Sequence, residues 1–420
     1  MTRPLREVAV ADPLEFFAEL REALAGQGPA LLPRPAGEDA ATPELAGARV
    51  PDRVALVIET SGSTAKPKRV MLTGAGLRTA AAATHERLGE LGGDADARPQ
   101  WLLCLPGHYI AGAQVLVRSL VAGTTPVVAS PGAFTPEGFV ADASRLTGER
   151  RYVSLVPAQL RRLVDAADAG ATPDLDATMA RFDAILVGGQ ATPRDLLARA
   201  RELGWNAVTT YGSSETSGGA AYNARPLPGV RMRAVDGELW VASPSLAVGY
   251  LDDPTRTGAA FVTDEAGERW YRTGDAGTVD ETGTVAVTGR FDSVIISGGL
   301  KVNLDEVTLA AASTGAFTDV VAVPVASREW GEAVALVAAD PEVAAPTVDA
   351  ATRDATLVAA EPWPRILAAL EPLGRAARPA LLVRVPELPR LASGKPDRAA
   401  VRALADGLAV QSQGGKAEAQ

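Results

Sequence analysis

Hydrophobic positions along the chain follow two regimes. Between about residues 54 and 212, short and nearly continuous apolar runs at 54–58, 101–105, 126–129, 152–156, 182–187 and 207–211 alternate with helical stretches such as 112–122, 157–167 and 193–203. Such runs read as strands buried on both faces, so the alternation predicts a layered α/β domain with parallel sheets. After Gly218 the pattern changes: apolar and polar residues alternate singly at 230–235 and 238–243 around Asp236-Gly237. That predicts a hairpin within a small β-rich subdomain. Strands are expected at 284–288 and 293–297, then at 320–324, 333–338 and 380–385 with two or three helices, a separate small α+β domain. The expected division is 1–290, 291–410 and a disordered tail at 411–420. Near the start, 12–26 reads as a helix with Asp12 as N-cap, Pro13 at its first position, Glu15 completing a capping box, Leu14, Phe17, Leu20 and Leu24 on one face and Gly26 as stop. A connector rich in Pro, Gly and Ala is expected from there to about Pro51.

Composition narrows the chemistry. At 420 residues the chain exceeds one typical domain, and its formal charge of −10 argues against nucleic acid as a partner. No apolar run approaches the roughly 18 residues of a membrane helix, and MTRPLREVAVADPLEFF lacks a signal-peptide core, so a cytoplasmic protein without membrane insertion is expected. One cysteine, Cys104, excludes an internal disulfide, and two histidines leave little room for a histidine-rich metal site. Lysine occurs only at 66, 68, 301, 395 and 416 among 41 basic residues. The arginine excess fits coding bias, and against that background each lysine is a candidate for a position that calls for a compact point charge and not a planar fork, Lys416 in the tail excepted.

The densest local feature is Thr60-Ser61-Gly62-Ser63-Thr64-Ala65-Lys66-Pro67-Lys68, set between two apolar strands. Hydroxyls, glycine amides and lysines packed so closely suit phosphate oxygens, although a solvated turn has the same composition and the Walker A spacing is absent. Tyr211-Gly212-Ser213-Ser214-Glu215-Thr216 closes the last strand of the α/β region, where such folds place ligands, and a carboxylate there suits Mg2+ shared with substrate phosphates. Tyr271-Arg272-Thr273-Gly274-Asp275 offers a carboxylate for ribose hydroxyls. Gly289-Arg290-Phe291-Asp292, Ser297-Gly298-Gly299-Leu300-Lys301 and Ser393-Gly394-Lys395-Pro396-Asp397 follow in order.

In this order and spacing, from about 54 to 398, the motifs resemble the adenylate-forming superfamily of acyl-CoA synthetases, luciferases and peptide-synthetase adenylation domains. The resemblance implies a large N-terminal domain, a small mobile C-terminal domain, and an enzyme that uses ATP and Mg2+ to convert a carboxylate to acyl-AMP and then transfers the acyl group to a thiol. Within the superfamily the chain is short. Its Leu105-Pro106-Gly107-His108-Tyr109-Ile110-Ala111-Gly112 segment, the following QVLVRSL and Ile296-Ser297-Gly298-Gly299 are similar to the o-succinylbenzoate–CoA ligases of menaquinone biosynthesis, in their actinobacterial form. That implies o-succinylbenzoate, ATP and CoA as small-molecule partners, and leaves a homodimer open.

The resemblance assigns roles. Thr60, Ser61, Gly62, Ser63, Thr64, Lys66 and Lys68 match the phosphate loop, with Ala65 in place of the usual glycine. Gly189, Gln190, Tyr211, Gly212 and Ser214 fall at the nucleotide, Glu215 at the Mg2+, Asp275 at the ribose and Arg290 at ribose or phosphate. Gly188, Ser213, Gly218 and Gly219 line the acyl pocket. Lys395 matches the catalytic lysine, whose ammonium would stabilise charge building at the α-phosphorus. Asp292 matches the interdomain hinge, and Gly298, Gly299 and Lys301 the CoA path. Relatives often carry Phe-His where this chain has His108-Tyr109, so either ring fits a gate to the thiol tunnel or a face of the acyl site. The substrate's second carboxylate calls for a cation in an apolar pocket, and Arg118, two helical turns past Ile110-Ala111, is the candidate. A CoA ligase for another aryl or acyl acid, or a non-catalytic acyl-adenylate or CoA binder, are the alternatives. Retained Lys395, Glu215 and Asp275 argue against the binder.

Overall fold

The structure, a computed structural model, describes residues 1–37, 42–60, 67–90, 98–317, 319–327, 330–350, 360–391 and 396–414, with 292, 349, 350 and 410–414 described in backbone alone. The chain separates into two units, Met1–Thr273 with Thr278–Ala286, and Gly274–Gly277 with Val287–Gln420. The division falls a few residues before the expected 290, and it moves Asp275 into the second unit. The reason is local: the Arg290 guanidinium pairs with Asp275 at 3.2 Å, and the Arg290 amide donates to Asp305 at 3.0 Å.

In the first unit, one sheet runs in the order Arg225–Pro226, Gly218–Tyr222, Ala207–Ser213, Ala184–Val187, Arg150–Leu155, Pro99–Leu103, Val127–Val128, and its last five strands are parallel. The continuous apolar runs are explained by its two covered faces. Trp101, Leu103, Tyr152, Leu186 and Val208 pack on one side with the helices Pro13–Leu24, Gly74–Glu90 and Ile110–Ala122. Leu102, Val153, Leu155, Ile185 and Val187 pack on the other with Pro136–Ser144, Pro157–Asp168 and Arg194–Glu202. Successive residues point to opposite faces, so each strand feeds both cores.

A second, mixed sheet runs Gly249–Tyr250, Lys68–Thr73, Val54–Thr60, Ala30–Pro35, Thr2–Val10, Arg49–Pro51. It departs from the sequence expectation in two places. Residues 54–58 belong to this sheet rather than to the parallel one, and the expected connector up to Pro51 contains the strands Ala30–Pro35 and Arg49–Pro51. The strand Thr2–Val10 is likewise new; it is held by Arg3, whose guanidinium is buried among backbone carbonyls. Leu31, Leu56, Ile58, Val70 and Leu72 face the first sheet, so Ile110–Ala122 belongs to an apolar core fed by both sheets. Pro13–Leu24 starts at Asp12, which accepts the Leu14 amide at 2.8 Å, but its buried face is Phe16, Phe17, Leu20, Ala23 and Leu24. Leu14 is exposed, because i, i+3, i+4 spacing from Phe16 leaves it on the outer side.

The predicted hairpin is present as Arg231–Val235 and Glu238–Ala242, with Asp236 and Gly237 at φ 50° and 81°. Both positions lie in the left-handed region, the geometry of a tight hairpin turn that Asp-Gly supplies. The hairpin joins Phe261–Thr263, Arg269–Val279 and Val285–Arg290 in a third sheet. The second unit has its own sheet, ordered Leu300–Asn303, Val294–Ser297, Gly331–Ala339, Leu381–Val385, Thr347–Ala350, with Asp319–Ser327 on Gly331–Ala339. Leu304–Ala312 and Trp363–Leu370 cover one face and Arg398–Gly414 the other. That last helix runs into the expected tail, of which 415–420 lie outside the described residues. No described helix is long and apolar enough to cross a membrane.

Candidate functional site

The parallel strands end at Leu103, Leu155, Val187 and Ser213, and the loops leaving those ends carry most of the residues singled out above. His108 and Tyr109 follow the first, Gly188, Gly189 and Gln190 the third, and Ser214 and Glu215 the last. From Pro99–Leu103 the chain winds outward to Val127–Val128, then returns to the opposite side as Arg150–Leu155. Such a reversal opens a crevice at the carboxyl ends, beside residues 104–109. There the His108 and Tyr109 rings pack with centroids 4.2 Å apart and planes tilted by 53°, and Tyr109 holds the N-cap position of the helix Ile110–Ala122.

Glu215 sits in a tight turn. The strand pair Ala207–Ser213 and Gly218–Tyr222 bulges between Tyr211 and Gly212, and a Cβ on Gly212 would lie 2.0 Å from the Gly218 carbonyl oxygen. Between the strands the Ser217 amide donates to the Ser214 carbonyl at 3.0 Å, and Thr216 Oγ1 accepts the Ser213 amide at 2.9 Å. The carboxylate is only 6% exposed and accepts a 2.8 Å hydrogen bond from the Tyr250 hydroxyl. Burial, and then Glu215 itself, push the Tyr250 phenol far upward, so it remains the donor. Tyr250 was not foreseen, since it lies on the other sheet. The described residues contain no group of three or more metal-type side chains. One buried carboxylate suits Mg2+ shared with phosphates and water, not an all-protein cage. Nearby, Ser213 Oγ is buried with no hydrogen-bond partner among the described residues.

Several glycines serve the fold itself. A Cβ on Gly188 would lie 2.0 Å from Thr210 Oγ1, and one on Gly219 2.6 Å from the Tyr222 ring. The places their side chains would take are therefore occupied by protein, so only backbone is available at these two positions to line a pocket.

Ile110–Ala122 is apolar almost all round, as its buried position requires, and its long polar side chains are Gln114 and Arg118. They are one turn apart, on one face. Gln114 Nε2 donates to the Ser217 carbonyl at 2.5 Å. Arg118, 5% exposed, donates to the Tyr222 hydroxyl at 3.1 Å and to Ser154 Oγ at 3.4 Å, and lies 4.9 Å from the centre of the Trp101 ring. Trp101 Nε1 in turn donates to His85 Nε2 at 3.2 Å. Burial first, then the charges of Arg118 and Arg150, lower the His85 pKa to about 4, so that ring is neutral. Among the described residues Arg118 has no carboxylate within ion-pair distance, and its Nε has no acceptor.

The phosphate-loop candidates Ser61, Gly62, Ser63, Thr64 and Lys66 lie outside the described residues, but the stem that carries them is clear. Thr60 is opposite Lys68 and Glu59 opposite Arg69 in the antiparallel ladder. A row of alternating charge crosses four neighbouring strands, the two of the stem among them: Glu7 to Arg34 at 2.8 Å, Arg34 to Glu59 at 2.7 Å and Glu59 to Arg69 at 2.9 Å. Burial alone would raise the Glu7 carboxyl, but hydrogen bonds from Thr42 and Arg34 outweigh it and hold it below the usual range.

In the second unit Asp275 and Arg290 are brought together as an ion pair, with Asp275 half-buried. Asp292 falls in the single turn Phe291–Ser293. Gly298 and Gly299 turn between Val294–Ser297 and Leu300–Asn303, and the Trp330 ring occupies the space above Gly298, 2.3 Å from where a Cβ would stand. Lys301 is exposed on the second of those strands. Lys395 lies outside the described residues.

A family model described as "AMP-binding enzyme" matches residues 8–251. A protein of Mycobacterium tuberculosis described as "Probable 2-succinylbenzoate--CoA ligase" is 36% identical over 388 residues, covering 91% of this chain and 93% of that one. The Escherichia coli "2-succinylbenzoate--CoA ligase" is 32% identical over 295 residues, 67% of this chain and 57% of that one. Among solved structures, a substituted E. coli MenE with bound OSB-AMS superposes with a TM-score of 0.71 at 22% identity, covering 97% of this chain and 88% of that one, a likeness of fold. With the motif order and the site at the strand ends, these matches establish that the chain belongs to the AMP-binding enzyme family.

Proposed function

We propose that the chain is an ATP-dependent acid–thiol ligase. It activates o-succinylbenzoate as its acyl-adenylate and passes the acyl group to CoA, the step its resemblance implies in menaquinone biosynthesis. The observation that carries the substrate is Arg118: a buried guanidinium with no carboxylate partner among the described residues, in an aromatic setting and on the Gln114 face that follows the strand after Glu215. A buried cation left unpaired is costly, so this one is organised for an anion that arrives with the substrate. A dicarboxylate whose ring carboxylate meets Arg118 leaves its succinyl carboxylate free to react. A fatty-acid pocket has no use for such a cation, and the names of the relatives agree with an aryl dicarboxylate.

The succinyl carboxylate is ionised near pH 7 and attacks the α-phosphorus without a general base, which suits a chain with two histidines. Pyrophosphate leaves and the acyl-adenylate forms; the CoA thiol then displaces AMP. Glu215 would hold a Mg2+ ion, which would supply positive charge to the phosphates. Tyr250 orients that carboxylate, Ser213 Oγ is a donor with its hydrogen bond to give, and the stem at Thr60 and Lys68 presents the loop 61–66 to the leaving pyrophosphate. Lys395 stabilises the charge that builds at the α-phosphorus. Asp275, with Arg290, holds the ribose, and Asp292 is the hinge between half-reactions.

The test is pyrophosphate release over a panel of carboxylates, with and without CoA. The expected result is release with o-succinylbenzoate and Mg-ATP, and thioester and AMP once CoA is added. Release with a different acid and none with o-succinylbenzoate overturns the substrate; no release with any acid overturns the ligase.

A further inference from the structure

We infer that Tyr222 is a positioning residue for substrate recognition, fixing the Arg118 guanidinium through a one-way hydrogen-bond chain that exists only because residue 219 is glycine. The inference rests on the reading of Arg118 as the contact for the substrate's second carboxylate.

The direction of the chain follows from the chemistry of its members. Arginine only donates. Its Nη2 lies 3.1 Å from the Tyr222 oxygen, which therefore accepts. Tyr222 lies 3.1 Å from Thr84 Oγ1, and Thr84 Oγ1 donates to the Ala80 carbonyl at 3.0 Å. With the threonine proton committed to Ala80, the phenol proton goes to Thr84, and the phenol oxygen is left to accept from arginine. The links therefore run Arg118 to Tyr222 to Thr84 to the Ala80 carbonyl, every proton assigned. Tyr222 is 1% exposed, so no solvent competes for these bonds. The Trp101 face and Ser154 Oγ constrain the guanidinium further, while its Nε–H keeps no acceptor among the described residues. One edge is clamped and a donor remains to give.

Gly219 makes room for the clamp. A Cβ there would lie 2.6 Å from Tyr222 Cε1 and 2.8 Å from its hydroxyl, so any side chain at 219 displaces the oxygen that Arg118 meets. The glycine is thus a specificity element without touching substrate.

The experiment compares o-succinylbenzoate with the same molecule lacking its ring carboxylate, 4-oxo-4-phenylbutanoate, in pyrophosphate-release kinetics of the full chain. Tyr222→Phe deletes only the hydroxyl. The expected result is a roughly tenfold rise in KM for o-succinylbenzoate, the scale of one hydrogen bond to a charged group. KM for ATP, kcat, and kcat/KM for the analogue should stay as in the parent. Combined with Arg118→Ala, Tyr222→Phe should add nothing further, and Gly219→Ala should reproduce its selective effect. An equal loss on both substrates, or an unchanged KM for o-succinylbenzoate where Arg118→Ala raises it, overturns the positioning role. If Arg118→Ala itself leaves o-succinylbenzoate unaffected, the reading of Arg118 fails, and this proposal with it. Should Tyr222→Phe not fold, Thr84→Val removes the next link: a selective rise in KM for o-succinylbenzoate is again expected, and an equal loss on both substrates again overturns the role.

Discussion

Arg3 and Arg118 are buried alike, at 6% and 5% exposure, yet their surroundings differ in kind. Arg3 gives its protons to the carbonyls of Ala23, Gln27, Gly28 and Pro29 and closes the end of the first helix. Arg118 has hydroxyls, an aromatic face and an Nε without an acceptor. The sequence proposes Arg118 by its position after the His108-Tyr109 segment, but it cannot separate a sealed arginine from a waiting one, because that depends on carbonyls distant in the chain. Glu215 was legible from its motif, whereas its partner Tyr250, 35 positions on, was not. Tyr250→Phe removes one hydrogen bond to a carboxylate and should lower kcat/KM for Mg-ATP about tenfold, with o-succinylbenzoate KM near the parent value; a fall confined to the acid would dissociate Tyr250 from the metal side. His85 gives a pH signature. Its pKa is depressed to about 4 from 6.5, so the stability it supports is full above pH 6.5 and is lost as pH falls towards 4. Urea unfolding of the parent and of His85→Gln at pH 7 and 4.5 should show the parent losing on the order of 2 kcal/mol more. Parallel losses would mean that the folded ring takes up its proton as readily as the unfolded one.

At the level of strands and helices, the parallel sheet was readable because burial on both faces leaves a continuous apolar record, and the hairpin because Asp236-Gly237 alone meets its backbone requirement. The mixed sheet was not. In Thr2–Val10, Arg3 is satisfied by backbone carbonyls and Glu7 by Arg34, whose row of charges continues to Glu59 and Arg69, and these partners lie on other elements of the chain. The row braces the stem of the phosphate loop. Glu59→Gln should raise KM for ATP several-fold while sparing KM for the acid, because it leaves Arg34 and Arg69 each short of a partner. Glu44→Gln, at the far exposed contact of Arg69, should change neither. Equal behaviour of the two variants would assign the row to stability alone.

Across the whole molecule, the change of pattern near residue 290 gives no sign that Gly274–Gly277 goes with the second unit, because a short segment inside a long strand carries no mark of which core it follows. The proposed alternation between half-reactions is tested at two positions. Lys395→Ala should abolish adenylation and largely spare thioester formation from supplied acyl-adenylate; equal loss of both would remove its assigned role. Asp292→Pro, which stiffens the backbone five residues inside the second unit's main segment, should slow thioester formation more than adenylation, and an unchanged ratio would place the hinge elsewhere.

The edge of the mixed sheet has a consequence for how the protein is made. Lys68–Thr73 is completed only by residues 248–251, whose backbone bonds to Arg69 and Met71 close its outer side. A ribosome delivers the strand long before its cover. Until residue 251 has emerged, a row of unpaired amides and carbonyls stands open beside Val70 and Leu72, a ready template for pairing with a neighbouring nascent chain. Stalled or truncated synthesis products ending before Gly249 should therefore be the aggregation-prone species, and the sensitivity should end once the chain has passed Leu251.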